Sequence, residues 1–356
     1  MSAGLAHAPG TRTIENFKAL RELSLSFVAA SGDPRALTLL LGDNGSGKTT
    51  ALQAIALTLS LATRRLDEPA DLDWQGFLAE RVGSLGPSRV ELTVLFDDDE
   101  LTTTQALFGA WIAQQPPEIR HHFATPGDAK RVNLVYENGT LRSPQGAGAI
   151  SQFLGRYFIR GLLKTQGAAR SSFASVGDVF WFDQNRNLAT LATEGETGIN
   201  RLRNHLVRWY AYHTSERVSP ATDYLQKLEN MFARFFPGAR FVGTEPRRGV
   251  FSLGDFDSYF LIERGDHVYD IAEMSSGEQA IFPMLYEFAR LDIARSVVLI
   301  DELELHLHPP LQQMLLSALR TIGPDCQFIV TTHSPYLEEA TPDEFEIRLP
   351  GGRPCL

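Results

Sequence analysis

The segment Gly42-Asp-Asn-Gly-Ser-Gly47-Lys48-Thr49 constrains this chain more than any other feature. Glycines spaced in this way, closed by Lys-Thr, fit the loop whose backbone N–H groups wrap around phosphates. Its flanks agree with that reading. Ala36-Leu-Thr-Leu-Leu-Leu41 is a mostly apolar run of the kind that forms a strand buried on both faces, and Leu52, Ile55, Ala56 and Leu59 recur at helical spacing. Strand, glycine loop and helix in this order put the positive end of the helix at the loop. Lys48 is then expected to bridge the β- and γ-phosphates of a nucleotide, and the Thr49 hydroxyl to ligate Mg²⁺. The candidate nucleotide contacts are Gly42, Asn44, Gly45, Ser46, Gly47, Lys48, Thr49 and Thr50. The competing reading is a glycine-rich turn that binds nothing.

Three further segments carry chemistry that suits such a loop. Val297-Val-Leu-Ile300 is an apolar strand ending in Asp301-Glu302. The carboxyl ends of buried parallel strands form the ligand edge of an open α/β sheet, so Asp301 can hold Mg²⁺ through water and Glu302 can activate the attacking water. Glu304 is also acidic and close, but Glu302 directly follows the metal aspartate; Glu304 is assigned a structural or interface role. Phe328-Ile-Val-Thr-Thr-His333-Ser-Pro335 ends another strand in a histidine. In register with the acids, His333 would lie beside the γ-phosphate; otherwise it only caps the strand. Met274-Ser-Ser-Gly-Glu-Gln279 opens an apolar helix, and Ser275 with Glu278 has capping-box spacing. The same segment can instead present Ser276 and Gly277 outward as an anion site for a partner's γ-phosphate.

The remaining pattern is that of an α/β chain. Ile14 to Phe27 and Val90 to Phe96 alternate as half-buried strands, and Asn138-Gly139 marks a two-residue hairpin. Two apolar segments between Phe251 and Ile271 flank Arg264-Gly265-Asp266 as a second hairpin. Helices alternating with the later strands indicate a parallel sheet. These features divide the chain into residues 1–100, the first part of a nucleotide-binding head; 101–225, an inserted and mostly helical lobe; and 226–356, the rest of the head. The net charge of −10 opposes a protein that coats nucleic acid through diffuse positive charge. A local patch remains open: Arg201, Arg203 and Arg208 interleave with Trp209, Tyr210 and Tyr212, either to grip a nucleic acid or as a surface helix with an aromatic core face. Two cysteines, Cys326 and Cys355, cannot build a disulfide framework. No secretory pattern or bilayer-length apolar run occurs, so the cytoplasm is the expected location and no membrane contact is expected.

Taken together, the phosphate loop, the serine loop, the Asp-Glu strand end and the switch histidine resemble the ABC ATPase superfamily. More narrowly, Asn16-Phe17-Lys18 and Ile300-Asp-Glu-Leu-Glu-Leu-His-Leu-His-Pro309 resemble the RecF/SMC/OLD-like AAA-type ATPases, which act in DNA repair and in bacterial defence against phage. The resemblance implies an ABC-type head with a mixed central sheet and an antiparallel β subdomain, binding ATP and Mg²⁺. It implies a head-to-tail homodimer in which Lys48, Thr49, Asp301, Glu302 and His333 of one copy meet Ser276 and Gly277 of the other. Leu305 to Pro309 would be the loop through which the two sites sense each other. These families also carry a glutamine that contacts Mg²⁺, and Gln184, delivered by Val179-Phe-Trp-Phe182, is the candidate; an ordinary polar turn is the alternative.

Departures narrow the choice. Ser275-Ser-Gly-Glu-Gln279 and Leu303-Glu304 stand where transporter ATPases have Leu-Ser-Gly-Gly-Gln and Pro-Thr, and no heptad pattern is long enough for an extended coiled coil. OLD nucleases carry a nuclease domain after the head, whereas this sequence continues only briefly past His333, so a nuclease is expected as a separate effector. The expected function is an ATP-hydrolysing switch in DNA repair or anti-phage defence, with DNA a further candidate partner. A transporter ATPase or an ATP-binding scaffold with little turnover is the alternative.

Overall fold

The computed structural model describes residues 4–6, 14–165, 167–168, 170–184, 198–216, 218–220, 222–246 and 258–349. Two compact units emerge. The first comprises Met1–Gln184, Ile293–Leu303 and Leu319–Leu356, and the second Asn185–Asp292 and Glu304–Ala318. The segment 101–225 therefore contributes to both, dividing at Gln184.

The first unit is built on a five-stranded sheet in the order Glu346–Arg348, Leu37–Leu41, Gln327–Thr331, Val297–Ile300, Val179–Phe182. Every pairing in it is parallel. Two adjoining inner strands, Gln327–Thr331 and Val297–Ile300, are buried along their whole length, which suits the apolar runs Phe328–Val330 and Val297–Ile300. The antiparallel subdomain runs Leu20–Leu23, Ile14–Phe17, Arg89–Leu95, Arg131–Glu137, Thr140–Arg142. Arg89–Leu95 alternates between buried and half-buried residues, as its sequence predicts. The hairpin after Glu137 turns on Asn138 and Gly139, both in the left-handed region at φ 47° and 87°. Helix Lys48–Ala62 touches strands of both sheets, and Ala54, Ile55 and Leu59 share one core with Leu299, Ile329, Leu92 and Leu134. A helix covered on opposite sides needs no polar face, so apolar residues surround it. Helices Asp98–Ala113 and Gly155–Leu163 pack together through Phe108, Trp111, Phe158 and Leu162.

In the second unit, strands His267–Asp270, Ser258–Arg264 and Ala239–Pro246 form an antiparallel sheet, accompanied by helices Gly198–His213, Tyr224–Phe235 and Ser276–Leu291. Gly265 at φ 60° makes the expected turn after Arg264, whereas 251–257 lie outside the described residues. Phe232 meets Phe282 edge-on at 5.3 Å between centroids, and Phe241 meets Phe260 at 5.3 Å. Within the arginine-aromatic stretch, Arg203 and Trp209 take core roles, whereas Arg208 and Tyr212 are exposed. Arg203 is buried and pairs with Asp270 at 2.6 Å, while Trp209 stacks on Tyr286 at 5.1 Å. Arg203 is thereby removed from any nucleic-acid surface; the Arg201 side chain lies outside the described set. Among the described residues no helix is long and apolar enough to cross a membrane.

Candidate nucleotide site

Sheet register explains why segments far apart in sequence converge. Ile300 pairs with Val330 on one side and with Phe182 on the other, and Thr331 pairs with Leu40. The four strands therefore end within two residues of one another, and Gly42, Asp183, Asp301 and Thr332 leave the sheet along one edge. A cleft of ≈ 340 Å³ opens there. It is lined by Ala19, Leu20, Asn44, Gly45, Gly47, Lys48, Thr49, Thr50, Gln184, Asp301, Glu302, Thr331 and His333.

The loop's glycines are required by space as well as by torsion. Gly42 has φ 151°, and a Cβ on it would lie 2.7 Å from Ser46 Oγ. Gly47 has φ 95°, and its Cβ would meet Leu20 Cδ2 at 2.5 Å. Gly47 caps the Lys48 helix without a side-chain bond, and the first turn holds no acidic residue. The first N–H groups of a helix have no partner within it, so here neither a cap side chain nor a carboxylate competes with an anion for them. Ser46 Oγ is buried with no hydrogen-bond partner among the described residues. Lys48 is buried as well, and its Nζ donates to the carbonyls of Gly42 at 2.8 Å and Asp43 at 3.1 Å. Gly42 and Ser46 thus build the loop wall, while the other predicted loop residues face the cleft.

Asp301 is fully buried at the opposite wall. Thr49 Oγ1 lies 3.0 Å from both its carboxylate oxygens, and Thr331 Oγ1 donates to Oδ1 at 2.6 Å. Burial pushes the Asp301 carboxyl above its ordinary value, the bonds from Thr331 and Thr49 oppose that shift, nearby Asp183 adds to it and Lys48 counters it. A hydroxyl and a desolvated carboxylate side by side are the hard oxygen donors that Mg²⁺ prefers, so the residues present fit that ion. Glu302 follows at φ 48°; its N–H donates to Thr331 Oγ1 at 2.8 Å and its Oε1 accepts from Gln184 Nε2 at 2.8 Å. Gln184 therefore reaches the acid through Glu302. Glu304 starts a separate turn, its carbonyl accepting from Leu307 N at 3.0 Å, and it does not line the cleft.

Ser276 and Gly277 belong to the second unit and are not among the cleft's lining residues. The capping box is formed: Ser275 N and Oγ each lie 2.7 Å from Glu278 Oε2. Ser276 nevertheless stays exposed at the first helical position, so the cap does not use up its hydroxyl. Gly277 is buried, and a Cβ there would meet Leu311 Cδ2 at 3.2 Å. Ala19, Leu20 and Thr331 are lining residues that sequence reasoning did not name. Thr331 follows Val330, the partner of Ile300, and only that register brings it to Asp301; the first two depend on how the N-terminal hairpin folds over Gly47.

Comparison with known proteins agrees with this architecture. The family described as "AAA domain, putative AbiEii toxin, Type IV TA system" matches residues 182–338, and a second AAA domain family matches residues 13–107. The chain is 27% identical over 167 residues to the "Retron Ec83 probable ATPase" of Escherichia coli, covering 43% of this chain and 28% of that one. It is 24% identical over 358 residues to the "Septu protein PtuA" of Bacillus mycoides (strain KBAB4), covering 90% of this chain and 37% of the relative. The matches thus span well under half the length of these relatives. An Smc head bound to the C-winged helix domain of ScpA superposes with a TM-score of 0.51 at 15% identity, covering 93% of this chain and 90% of the other. The Pyrococcus furiosus Smc head with an extended coiled coil gives 0.51 at 13% identity, covering 95% and 92%. At those identities the likeness speaks for the fold, and it is the fold of an ABC-type head. Loop, strand end, family matches and fold agree: two AAA-domain families match the chain and its fold is that of SMC heads, which together support a RecF/SMC-like, ABC-type ATPase.

Proposed function

We propose that this protein binds ATP with Mg²⁺ in the cleft, hydrolyses it to ADP and phosphate, and uses the cycle as a switch in anti-phage defence. The observation that carries the reading is the contact of Thr49 with Asp301 across the cleft, with Glu302 next in the chain and pinned by Gln184. The loop amides and Lys48 would hold the β- and γ-phosphates, and Thr49 and Asp301 would hold Mg²⁺, which would supply charge neutralisation, with Gln184, which lines the same cleft, as a further candidate ligand. Glu302 would take the proton of the attacking water, oriented by its bond to Gln184. His333 would face the γ-phosphate and stabilise charge developing there.

The site closes, on this reading, when Ser276 and Gly277 of a second copy cap the γ-phosphate head-to-tail, so that ATP favours the dimer and hydrolysis releases it. The exposed Ser276 at a helix start supports that role. Defence rather than repair is favoured by the similarity to ATPases named for retron and Septu proteins. A separate effector such as a nuclease would receive the signal. The transporter alternative lacks support from the Ser275–Gln279 and Leu303-Glu304 segments.

Mixing Lys48→Ala with Ser276→Arg tests the composite site. Each variant alone is expected to lack turnover, Lys48→Ala because it loses nucleotide binding and Ser276→Arg because it blocks its partner's site. The mixture restores one intact site per heterodimer and should recover up to about half of wild-type turnover per dimer, an order-of-magnitude expectation from one working site of two. Two folded variants whose mixture stays inactive would count against the cross-copy arrangement.

A further inference from the structure

We propose that Thr331 is a positioning residue for the hydrolytic step, one hydroxyl that sets both acids at the end of the Val297–Ile300 strand; the inference rests on the proposed ATP hydrolysis. A hydroxyl has a single proton, and the contacts of Thr331 determine where it goes. Glu302 N is a donor, so at 2.8 Å Thr331 Oγ1 must accept from it. The hydroxyl proton is then committed to Asp301 Oδ1 at 2.6 Å. On the main chain, Thr331 O accepts from Leu303 N at 3.1 Å. Asp301, Glu302 and Leu303 are thus each tied to the one residue, which is itself fully buried.

Two features of the strand end need such a tie. Glu302 sits at φ 48°, a region that residues other than glycine seldom occupy, and it persists only where its surroundings hold it. Its amide is held by Thr331 and its carboxylate by Gln184, so the backbone and the tip of the side chain are fixed from opposite sides. Asp301 has two oxygens facing Thr49, and the bond from Thr331 to Oδ1 fixes the rotation of the carboxylate plane about that contact. Without the hydroxyl, Asp301 can turn against Thr49 and the Glu302 peptide loses its anchor, while the bonds from Lys48 to Gly42 and Asp43 that hold the phosphate loop do not involve Thr331.

Thr331→Val removes the hydroxyl at nearly constant shape and keeps a β-branched residue in a buried strand, where it fits well. The Leu303 N–H bond to the main chain survives. Binding of a fluorescent ATP analogue without metal should stay within about threefold of wild type, which also confirms folding, because the loop and Lys48 carry that affinity. The gain in affinity on adding Mg²⁺ should shrink, and kcat should fall by about 100-fold while KM changes little, as expected for misplaced reacting groups. Thr331→Ser, which restores the hydroxyl, should return kcat to within about fivefold. Wild-type kcat and an unaltered Mg²⁺ effect in Thr331→Val overturn the proposal, and so does a Thr331→Ser variant as impaired as Thr331→Val. A wild-type chain that binds ATP without turning it over would instead remove the function on which the inference rests.

Discussion

Replacing Glu100 by glutamine should stabilise the chain by an amount that grows with pH. Glu100 lies in helix Asp98–Ala113, is 3% exposed, and accepts one bond, from Gly177 N to Oε1 at 2.7 Å. Its Oε2 is buried with no hydrogen-bond partner among the described residues. Burial pushes its pKa from 4.5 to about 7; the Gly177 bond opposes this, Asp97 adds to it, and Arg295 and Arg156 work against it. The folded value lies above the unfolded one, so the folded state holds its proton longer. The contribution to stability is fully present below pH 4.5, declines as pH rises, and is lost above about pH 7. At about 1.4 kcal/mol for each unit of pKa, the whole effect is on the order of 3 kcal/mol. Glutamine retains the acceptor for Gly177 N and cannot ionise. Urea unfolding in a Trp209→Phe background, where Trp74, Trp111 and Trp181 all report the first unit, should therefore give Glu100→Gln an advantage of about 1 kcal/mol at pH 5 and about 3 kcal/mol at pH 8. An advantage that does not change between those pH values, or that shrinks toward pH 8, would refute the argument, because every other titrating group is common to both chains.

Two further substitutions probe the cleft and the second unit. Glu302→Gln should keep ATP affinity while turnover falls by about 10² to 10⁴-fold, the range for loss of a positioned base, and ATP-bound dimer should accumulate on size-exclusion chromatography. Equal turnover in variant and wild type would reassign the base. Arg203→Met should lower stability by about 3 to 5 kcal/mol because Asp270 is left buried without its cation, and Arg203→Met combined with Asp270→Asn should recover much of the loss in a double-mutant cycle. Additive losses would mean that the pair is not coupled.

Local chemistry made much of this protein legible in its residues. The Gly42–Thr49 loop, its apolar strand and its helix are neighbours in the chain, so steric demands at Gly42 and Gly47 and the helix start at Lys48 are written within a few residues. The same holds for the Asn138-Gly139 hairpin and the Ser275 cap, whose decisive contacts span three residues or fewer. The ABC-type head followed from the order of such local signals.

Tertiary structure decided what those signals could not carry. Gln184 and Glu302 are 118 positions apart, and Thr49 and Asp301 are 252 apart; only a sheet that sets Val179–Phe182 and Gln327–Thr331 on either side of Val297–Ile300 brings their ends to one edge. Thr331 looks like any strand threonine until that register aims its hydroxyl at Asp301. Arg203 reads as a surface charge until the fold buries Asp270 against it, and Glu100 reads as an ordinary acid in a first helical turn until packing removes its water. Helices, turns and caps are governed by bonds between near neighbours, whereas register and desolvation are collective properties of residues that meet only when the whole core assembles.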